Sequence, residues 1–433
     1  MSNWTTSKLS DVIEIIGGGT PKRSENKYWN GDIPWLSVAD FNNDFRYVND
    51  SIEHITELGL QKSSTKLLDK DHLIISARGI VGCLAQLSVP MAFNQSCYGL
   101  NGKEGILDNG FLYYFLKNNI SELKQKTHGA VFDTITRDTF EHIQISYPDL
   151  DTQKEIAKNL GSFDEKIQLN TQINQTLEQI AQALFKSWFV DFNPVRAKVQ
   201  ALSDGLSLEQ AELAAMQAIS GKTAEELTAL SQAQPDRYAE LAETAKAFPC
   251  EMVEVDGFEV PKGWEVKRID EVIQKIPVGK KYSSKTAFSE GLVPILDQGR
   301  SGVIGYHNDK PGIKASIEDP IIVFANHTCY MRLISYDFSA IQNVFAFKGK
   351  ECNLYWLYLA TLGKQEFVEY KGHFPDFLIK EIIVPPEELT ELFGKYVKES
   401  FSKIFINDRE NSNLAKIRDL LLPKLLNGGI QNE

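Results

Sequence analysis

The residues whose spacing comes nearest to a catalytic motif are Pro148-Asp149 followed by Asp164-x-Lys166. This order matches nucleases in which two carboxylates and a lysine converge on Mg²⁺. Those enzymes place the second carboxylate and the lysine on a strand. Here Asp164 and Lys166 lie inside a helical pattern, on either side of the helix. We therefore expect neither residue to be catalytic.

Other catalytic and cofactor motifs are absent from the sequence. Gly17–Gly19 is followed by Thr-Pro-Lys instead of the Lys-Ser/Thr of a phosphate-binding loop, so this run is predicted to be a turn. No glycine-rich S-adenosylmethionine motif follows an early strand, and the Asn/Asp-Pro-Pro-Tyr sequence of adenine methyltransferases does not occur. The seven histidines form no HExxH, and the five cysteines form no CxxC. We expect a non-catalytic chain that binds no metal and no cofactor of its own.

The element that must position the rest is a long helix predicted over residues 151–193. Its seam residues recur in alternating steps of four and three, which is the spacing of a coiled coil and requires a partner helix. Pro194 is predicted to end the helix because an internal proline loses a hydrogen bond. The seam positions are Ile156, Leu160, Phe163, Ile167, Asn170, Asn174, Leu177, Ala181, Leu184 and Trp188.

The partner helix is predicted in the same chain, over residues 388–427. The seam pattern returns there after 237 residues, and it includes two asparagines at the same phase as in the first helix. Two seam positions of this second helix are weak, since they hold Ser400 and Arg418.

The four seam asparagines predict how the helices pair. If the helices are antiparallel, Asn170 faces Asn411 and Asn174 faces Asn407. A buried amide is costly unless it is hydrogen-bonded, so these residues would penalise any other register. The alternative is that the amides face solvent or a bound partner protein.

The duplication extends beyond the helices. Matching segments recur at an offset that shrinks along the chain, which indicates one half-length unit present twice, with shorter loops in the second copy. The matches are Trp4-x3-Lys8-Leu9 with Trp264-x3-Arg268-Ile269 (offset 260), Asp71-x-Leu73-Ile74-Ile75 with Asp319-x-Ile321-Ile322-Val323 (offset 248), and Ile145-x2-Pro148 with Ile382-x2-Pro385 (offset 237).

Each copy is predicted to be mixed and β-rich, which places the chain in the α+β class. Short apolar runs bounded by turn residues indicate buried strands, and longer apolar runs indicate helices packed on a sheet. The strands are predicted at His72–Ser76, Ile321–Ala325 and Asn343–Phe347, the helices at Phe111–Asn119 and Leu354–Leu362, and a turn at Asn30-Gly31-Asp32. The segment Leu206–Phe248 is predicted to form two or three short helices, broken near Gly221 and Pro235.

Composition limits the cellular setting and the partners. No apolar run of membrane-spanning length and no apolar signal core occurs, and the cysteines are scattered, so we expect a cytoplasmic protein without a membrane partner. The net charge of −12 argues weakly against a nucleic-acid partner. Residues 195–262 hold six basic and twelve acidic side chains, so half of the net charge lies in one connecting segment. A DNA-binding face needs local basicity and not a basic total.

Several segments resemble the specificity subunit of type I restriction-modification enzymes. They are Gly18-Gly19-Thr20-Pro21, Asp32-Ile33-Pro34-Trp35-Leu36, Ala77-Arg78-Gly79, Ala92-Phe93-Asn94-Gln95, Val260-Pro261-Lys262-Gly263-Trp264-Glu265-Val266 and, above all, Leu184-Phe185-Lys186-Ser187-Trp188-Phe189-Val190-Asp191-Phe192-Asn193-Pro194-Val195. The similarity covers nearly the whole chain, and the segment 206–248 is its least familiar part.

The resemblance implies a fold, an activity and partners. Two pseudo-symmetric target recognition domains, joined by two long antiparallel coiled-coil helices, would each read one half of a split sequence in double-stranded DNA. The helices would set the spacing and dock two modification (methyltransferase) subunits, which would carry the S-adenosylmethionine. Restriction (motor-nuclease) subunits would join the complex. The alternative is a free-standing binding or scaffold protein without a DNA partner, for which the acidic balance is the best argument.

The resemblance and the duplication together predict the domain boundaries. The first recognition domain is predicted at 1–150 and the first long helix at 151–193. A helical connector follows at 194–262, then the second recognition domain at 263–387, the second long helix at 388–427 and a tail at 428–433.

The residues expected to contact DNA are polar side chains in predicted loops. Base edges are recognised by Arg, Lys, Asn, Gln or His, and a good bidentate contact contributes about 1–3 kcal/mol of discrimination. An alternative interpretation of Asn94 and Gln95 is that they satisfy backbone groups at a strand end. The same alternative applies to the equivalent Gln342 and Asn343 in the second copy. The candidates are Thr20, Lys22, Arg23, Arg78, Asn94 and Gln95 in the first domain, and Lys280, Lys281, Arg300, Asn326, His327 and Lys371 in the second.

Overall fold

The structure is a computed structural model, and it describes residues 4–43, 45–125, 134–255, 257–299, 302–369 and 371–427. The chain divides into two compact units. The first unit combines Met1–Gln172 with Asp408–Glu433, and the second consists of Ile173–Asn407. Among the described residues, no helix is long and apolar enough to cross a membrane.

The first unit is built mostly from short strands. Its strands are β1 (Thr5–Lys8), β2 (Ile13–Gly17), β3 (Trp29–Leu36), β4 (Tyr47–Val48), β5 (His54–Ile55), β6 (Leu67–Leu68), β7 (Leu73–Ser76), β8 (Leu84–Leu87), β9 (Met91–Phe93), β10 (Cys97–Gly102) and β11 (Gln144–Tyr147). Its helices are α1 (Leu9–Val12), α2 (Val38–Phe41), α3 (Glu57–Gln61), α4 (Asn109–Gln125), α5 (Arg137–Glu141) and the first part of α6 (Leu150–Phe189).

The second unit begins with the rest of α6 and a helical connector. Its further helices are α7 (Asn193–Ser203), α8 (Leu208–Ser220), α9 (Ala224–Ala233), α10 (Pro235–Ala247), α11 (Ile269–Val272), α12 (Leu354–Thr361), α13 (Phe374–Leu378) and the first part of α14 (Glu387–Leu426). Its strands are β12 (Met252–Val255), β13 (Phe258–Pro261), β14 (Glu265–Arg268), β15 (Ile273–Ile276), β16 (Lys281–Tyr282), β17 (Val293–Leu296), β18 (Val303–His307), β19 (Ile321–Ala325), β20 (Met331–Ile334), β21 (Ser339–Ile341), β22 (Val344–Gly349) and β23 (Glu381–Val384).

The strand order confirms the duplication and the α+β class. One sheet has the order β2-β10-β7-β8-β4 in the first unit, and its counterpart in the second unit has the order β15-β22-β19-β20. In each unit the strand before that sheet pairs antiparallel with the strand before the long helix, β1 with β11 and β14 with β23. The central strands are buried throughout, as the apolar runs predicted: every residue of β7 and β19 is buried.

Each unit packs part of both long helices against its own sheet. In the first unit, Ile156 and Leu160 of α6 share an apolar cluster with Leu422 and Leu426 of α14. In the second unit, Trp188 of α6 lies 5.5 Å, centroid to centroid, from Phe393 of α14, in an edge-on arrangement. The heptad seams therefore face each other within both units, as the coiled-coil spacing requires.

The first long helix ends earlier than the prediction of residue 193. Helix α6 stops at Phe189 because Phe192 adopts a left-handed conformation (φ +56°). Pro194 then lies in the first turn of α7, where a proline needs no amide hydrogen. The predicted connector of two or three short helices is confirmed as α8, α9 and α10, with Gly221 and Pro235 at the breaks.

The predicted turn at Asn30–Asp32 is wrong. These residues lie inside β3, where the register shifts between Trp29 and Ile33 so that both pair with Ile55. Asn30 has a φ of +60°, and the extra residues form an irregular bulge instead of ending the strand. Asn and Gly favour such a conformation in a bulge as they do in a turn, so residue type alone did not separate the two.

Candidate DNA interface

In the first unit, the predicted contact residues lie where three loops meet: the loop after β2, the loop after β7 and the turn between β9 and β10. The Gly19 N–H donates to the carbonyl of the last residue of β9 (3.0 Å), and the Ala77 N–H donates to the Ser96 carbonyl (2.8 Å). A Cβ atom on Gly18 would lie 2.2 Å from the Asn94 carbonyl oxygen, so only glycine permits this approach. We call these loops the first loop junction.

Four of the six predicted residues of this unit are in the first loop junction: Thr20, Arg78, Asn94 and Gln95. The Thr20 hydroxyl donates to Gln95 Oε1. The Asn94 carboxamide accepts the backbone N–H of Ser96 (3.0 Å), so Asn94 does satisfy a backbone group, as the alternative role predicted. Arg78 and Gln95 are exposed, and they remain the side chains best placed to contact a ligand.

The other two predicted residues of the first unit are held in ion pairs. Arg23 forms a two-pronged ion pair with Glu53, with Nη2 at 2.9 Å from Oε2, and its guanidinium lies 4.1 Å from the centroid of the Trp29 ring. The hydrogen bond to Arg23 lowers the pKa of Glu53 and raises that of Arg23. Lys22 lies 3.7 Å from Glu25 and is largely exposed. Arg23 would therefore have to break its ion pair with Glu53 in order to contact a phosphate or a base of DNA.

The second unit contains an equivalent junction. The loops after β15 and β19 meet the turn between β21 and β22: Tyr282 pairs with Ile341, and the Asn326 N–H donates to the Asn343 carbonyl (2.9 Å). We call these loops the second loop junction. In the alignment of the two copies, residues of the second loop junction correspond to residues of the first. The corresponding pairs are Thr20 and Lys280 at an offset of 260, and Arg78 and Asn326, and Asn94 and Gln342, at an offset of 248.

Asn326 of the second loop junction contacts the segment between α12 and α13, which carries Lys371, but Asn326 itself is buried (7% exposed). Its carboxamide oxygen accepts the Phe374 N–H (2.8 Å), and its carbonyl accepts the His373 N–H (2.9 Å). These bonds position the loop that carries Lys371, whose ammonium group lies 3.4 Å from both Glu369 and Asp376. Contact between Asn326 and a DNA base stays a prediction.

Lys280 and Lys281 flank a polar cluster at the start of β16. Lys280 pairs with Asp309 (2.8 Å), which also accepts a hydrogen bond from the Tyr282 hydroxyl (3.0 Å). The Tyr282 ring stacks on the buried His307 imidazole, with centroids 4.1 Å apart. Lys281 is exposed at the edge of the strand. Arg300, the remaining predicted residue, lies outside the described residues.

The sequence did not indicate two polar residues beside His327. The Gln298 Oε1 accepts the His327 N–H (2.8 Å), and the Thr328 hydroxyl donates to the Gln298 carbonyl (2.6 Å). Gln298 and Thr328 line a cavity of about 400 Å³ together with Tyr330 and Gln365. Gln298 stands two residues before Arg300 in the sequence Asp-Gln-Gly-Arg, and this proximity to a predicted contact residue was the signal that could have identified it.

Comparison with known proteins identifies the family. A family model described as type I restriction modification DNA specificity domain matches residues 1–179. The specificity subunit of the type I restriction enzyme HindI from Haemophilus influenzae is 43% identical over 353 residues, which is 74% of this chain and 77% of the relative. The chain belongs to the type I restriction enzyme specificity subunits.

Two further similarities extend over nearly the full length of this specificity subunit. The MjaIX specificity subunit from Methanocaldococcus jannaschii is 26% identical over 458 aligned positions, which include 100% of this chain and 94% of the relative. The crystal structure of a type I restriction-modification S subunit from M. genitalium superposes with a TM-score of 0.52 at 16% identity and covers 98% of this chain and 96% of that chain. The latter comparison supports the fold.

The seam asparagines of the specificity subunit pair as the antiparallel arrangement predicted. In the first unit, Asn170 Nδ2 donates to Asn411 Oδ1 (2.9 Å) and to Glu410 (2.8 Å). In the second unit, Asn407 Nδ2 donates to Asn174 Oδ1 (2.8 Å). Asn170 and Asn407 are almost fully buried. The pairing is confirmed, while its role in setting the register stays a prediction.

The nuclease-like residues of this specificity subunit do not converge. The Asp149 carboxylate accepts the Thr152 N–H (3.0 Å) and hydroxyl (2.9 Å) at the start of α6, where it caps the helix. Fifteen residues of helix, or roughly 22 Å at ~1.5 Å per residue, separate it from Asp164. Lys166 lies 3.7 Å from Glu410 on α14. Asp149 thus caps α6 and Lys166 pairs with α14, and Asp149 and Asp164 form no two-carboxylate site.

Proposed function

We propose that this specificity subunit reads a DNA target in two halves, one with each loop junction. The observation that supports the proposal is the repetition itself: the same three loops meet in both units. Each junction presents exposed side chains that can hydrogen-bond to base edges: Arg78 and Gln95 in the first, and Lys280 in the second, with the exposed Lys371 on an adjoining loop. One chain would thus recognise a bipartite target without forming a dimer.

The long helices suit the role of a spacer and a docking platform. Both α6 and α14 contribute residues to each unit, and amides of the two helices pair across the seam within each unit. We propose that the helix pair fixes the gap between the half-sites and docks two modification subunits. In this proposal the modification subunits bind S-adenosylmethionine and methylate the DNA, restriction subunits join for cleavage, and the specificity subunit is non-catalytic.

The test is to map methylated adenines in DNA modified by the complex, using the wild-type subunit and two single variants. Arg78→Ala should relax base preference in one half-site, and Arg300→Ala should relax it in the other. Each lost bidentate contact should reduce discrimination by about 1–3 kcal/mol, or roughly 5- to 150-fold, at one or two positions. If either variant relaxed both halves equally, the assignment of one half to each unit would be wrong.

A matched control is Arg196→Ala, which removes an exposed arginine of the connector that pairs with Glu259 (2.7 Å). We expect this variant to leave the methylated motif unchanged. A phosphate contact would instead weaken binding to all sequences alike.

The alternative of a scaffold without a DNA partner is tested by a gel shift with duplex DNA, with and without modification subunits. Absence of binding in both conditions would support the scaffold.

A further inference from the structure

A buried carboxylate connects the sheet β2-β10-β7-β8-β4 of the first unit, which we call the first recognition sheet, to both long helices. Asp164 of α6 is 5% exposed, and Arg418 of α14 donates a charged hydrogen bond to it. From the other side, the Tyr114 hydroxyl of α4 donates to the second Asp164 oxygen (2.6 Å), and Lys117 of α4 lies 3.8 Å away. Asp164 of the nuclease-like motif and Arg418, a weak seam position, are therefore partners in one interaction.

The network continues into the sheet through Arg46. Its Nη1 donates to the Tyr114 hydroxyl (3.3 Å), and its Nε donates to Gln86 Oε1 (3.0 Å) on β8. Arg46 is 6% exposed, and its guanidinium lies against Gly161 of α6: a Cβ atom at Gly161 would lie 2.3 Å from Nη1, so the guanidinium would have to move. A continuous line of directional contacts thus runs from β8 through α4 and α6 to α14.

The second unit has a different contact: Tyr358 of α12 is hydrogen-bonded to Glu178 of α6, and no charged pair stands at the positions equivalent to Asp164 and Arg418. Phe401 occupies the position 237 residues after Asp164, and Ala181 occupies the position 237 residues before Arg418. Both are buried in one apolar cluster, where the Phe401 ring stacks on Tyr355 with centroids 4.9 Å apart. An apolar contact at the same two positions is therefore compatible with the fold, so the helices can pack there without an ion pair.

Directional bonds restrict orientation more tightly than apolar packing does. Replacement of a buried ion pair by apolar residues is often neutral for stability, and retention of such pairs is best attested where they set register or geometry. Burial and the Asp164 charge both raise the pKa of Tyr114, which keeps its hydroxyl protonated and able to donate. The Tyr114 hydroxyl joins the Arg46 and Asp164 side chains, while Arg46 also donates to the Ala157 carbonyl of α6 (3.5 Å).

We propose that Asp164 and Tyr114 are positioning residues, which hold the first recognition sheet at one orientation on the helix pair and thereby determine which gap lengths the complex accepts. The inference rests on the proposed reading of two half-sites at a fixed gap. It assigns the discrimination between gap lengths to this polar network, in addition to the length of the helices.

The experiment measures methylation by the assembled complex on duplexes with the native gap and with gaps one base pair shorter and longer. Tyr114→Phe removes only the connecting hydroxyl and leaves the Asp164–Arg418 pair intact. We expect the preference for the native gap to fall by about fivefold, the factor that corresponds to one net hydrogen bond. Base preference in both half-sites should be unchanged, which a general loss of folding would not produce.

Two further variants complete the test. Asp164→Asn should lower the gap preference at least as much as Tyr114→Phe, because it also weakens the contacts to Arg418 and Lys117. The single variant Lys166→Ala removes an exposed ion pair (3.7 Å) between the same helices and keeps Glu410 as the acceptor of Asn170, so it should leave the preference unchanged. If Asp164→Asn does not fold, the gap preference of Tyr114→Phe is sufficient to test the inference. A wild-type gap preference in Tyr114→Phe would overturn the inference, whereas a wild-type complex without two half-sites would overturn the proposed function.

Discussion

Replacement of Asn174 by leucine removes the acceptor of a buried amide on the opposite helix. Asn407 is fully buried, and its Nδ2 donates to Asn174 Oδ1 at 2.8 Å. Among the described residues, Asn407 Oδ1 has no hydrogen-bond partner. In Asn174→Leu, both polar atoms of Asn407 therefore lack the partner or the solvent that they need. An unsatisfied buried polar group costs about 1–3 kcal/mol, and we expect a loss of this size in the local free energy of unfolding.

The double variant Asn174→Leu with Asn407→Leu should recover that loss. Two apolar side chains of similar size replace the amides, and such a replacement is nearly neutral or stabilising when both partners change. The coupling energy of the double-mutant cycle should thus be at least about 1 kcal/mol. Gln175→Leu, which adds a leucine at an exposed neighbouring position, is the control and should change stability by less than about 0.5 kcal/mol.

Hydrogen exchange of the peptides around Asn174 and Asn407 measures this local stability without requiring the whole chain to unfold in one step. Losses that simply add in the double variant would refute the reasoning, because independent losses mean that the two amides do not depend on each other.

The pair Asn174 and Asn407, together with the pair Asn170 and Asn411, is predicted to exclude other registers of the two long helices. With all four asparagines replaced by leucine, the helix pair should remain stable but lose its single register, since an apolar seam no longer penalises a shift by one heptad. The measurement is the gap length in the methylated motif, which should become heterogeneous. A single register with the normal gap in that variant would show that the amides do not set it.

Three further predictions follow from the helices and the second unit. Insertion of one heptad in each long helix should lengthen the gap in the methylated motif while both half-sites are kept; an unchanged gap in an assembled complex would contradict the spacer role. Burial lowers the pKa of His307, whose Nδ1 accepts the Asp309 N–H (3.0 Å), so stability should be full above the unfolded-state pKa of about 6.5 and decrease as the pH falls through the folded-state value. Thermal melts of the wild type and of His307→Gln at pH 7.5 and 5 measure this, and an equal pH response of both proteins would contradict it. The isolated chain should show no methyltransferase, nuclease or ATPase turnover; activity that Asp164→Ala abolishes would disprove this.

The sequence alone determined the architecture, because the signals that encode it are periodic. The heptad seams indicated two long helices, and two asparagines at the same phase in each seam indicated an antiparallel register, which the contacts of Asn170 and Asn174 confirm. The shrinking offset indicated the duplication, which the strand orders of the two units confirm. The buried strands β7 and β19 followed from short apolar runs.

Only the tertiary structure decided which side chains meet. Asp164 resembled part of a nuclease motif and Arg418 a defect in the seam, and the fold joins them although 254 residues separate them. Arg23 was predicted to contact DNA, but the fold places Glu53 beside it, and it buries Asn326 against the loop that carries Lys371. The physical reason is that a repeat of 2 or 3.5 residues shows locally which face of an element is apolar. A hydrogen bond between distant segments depends on loop paths and packing, which leave no periodic trace in the sequence.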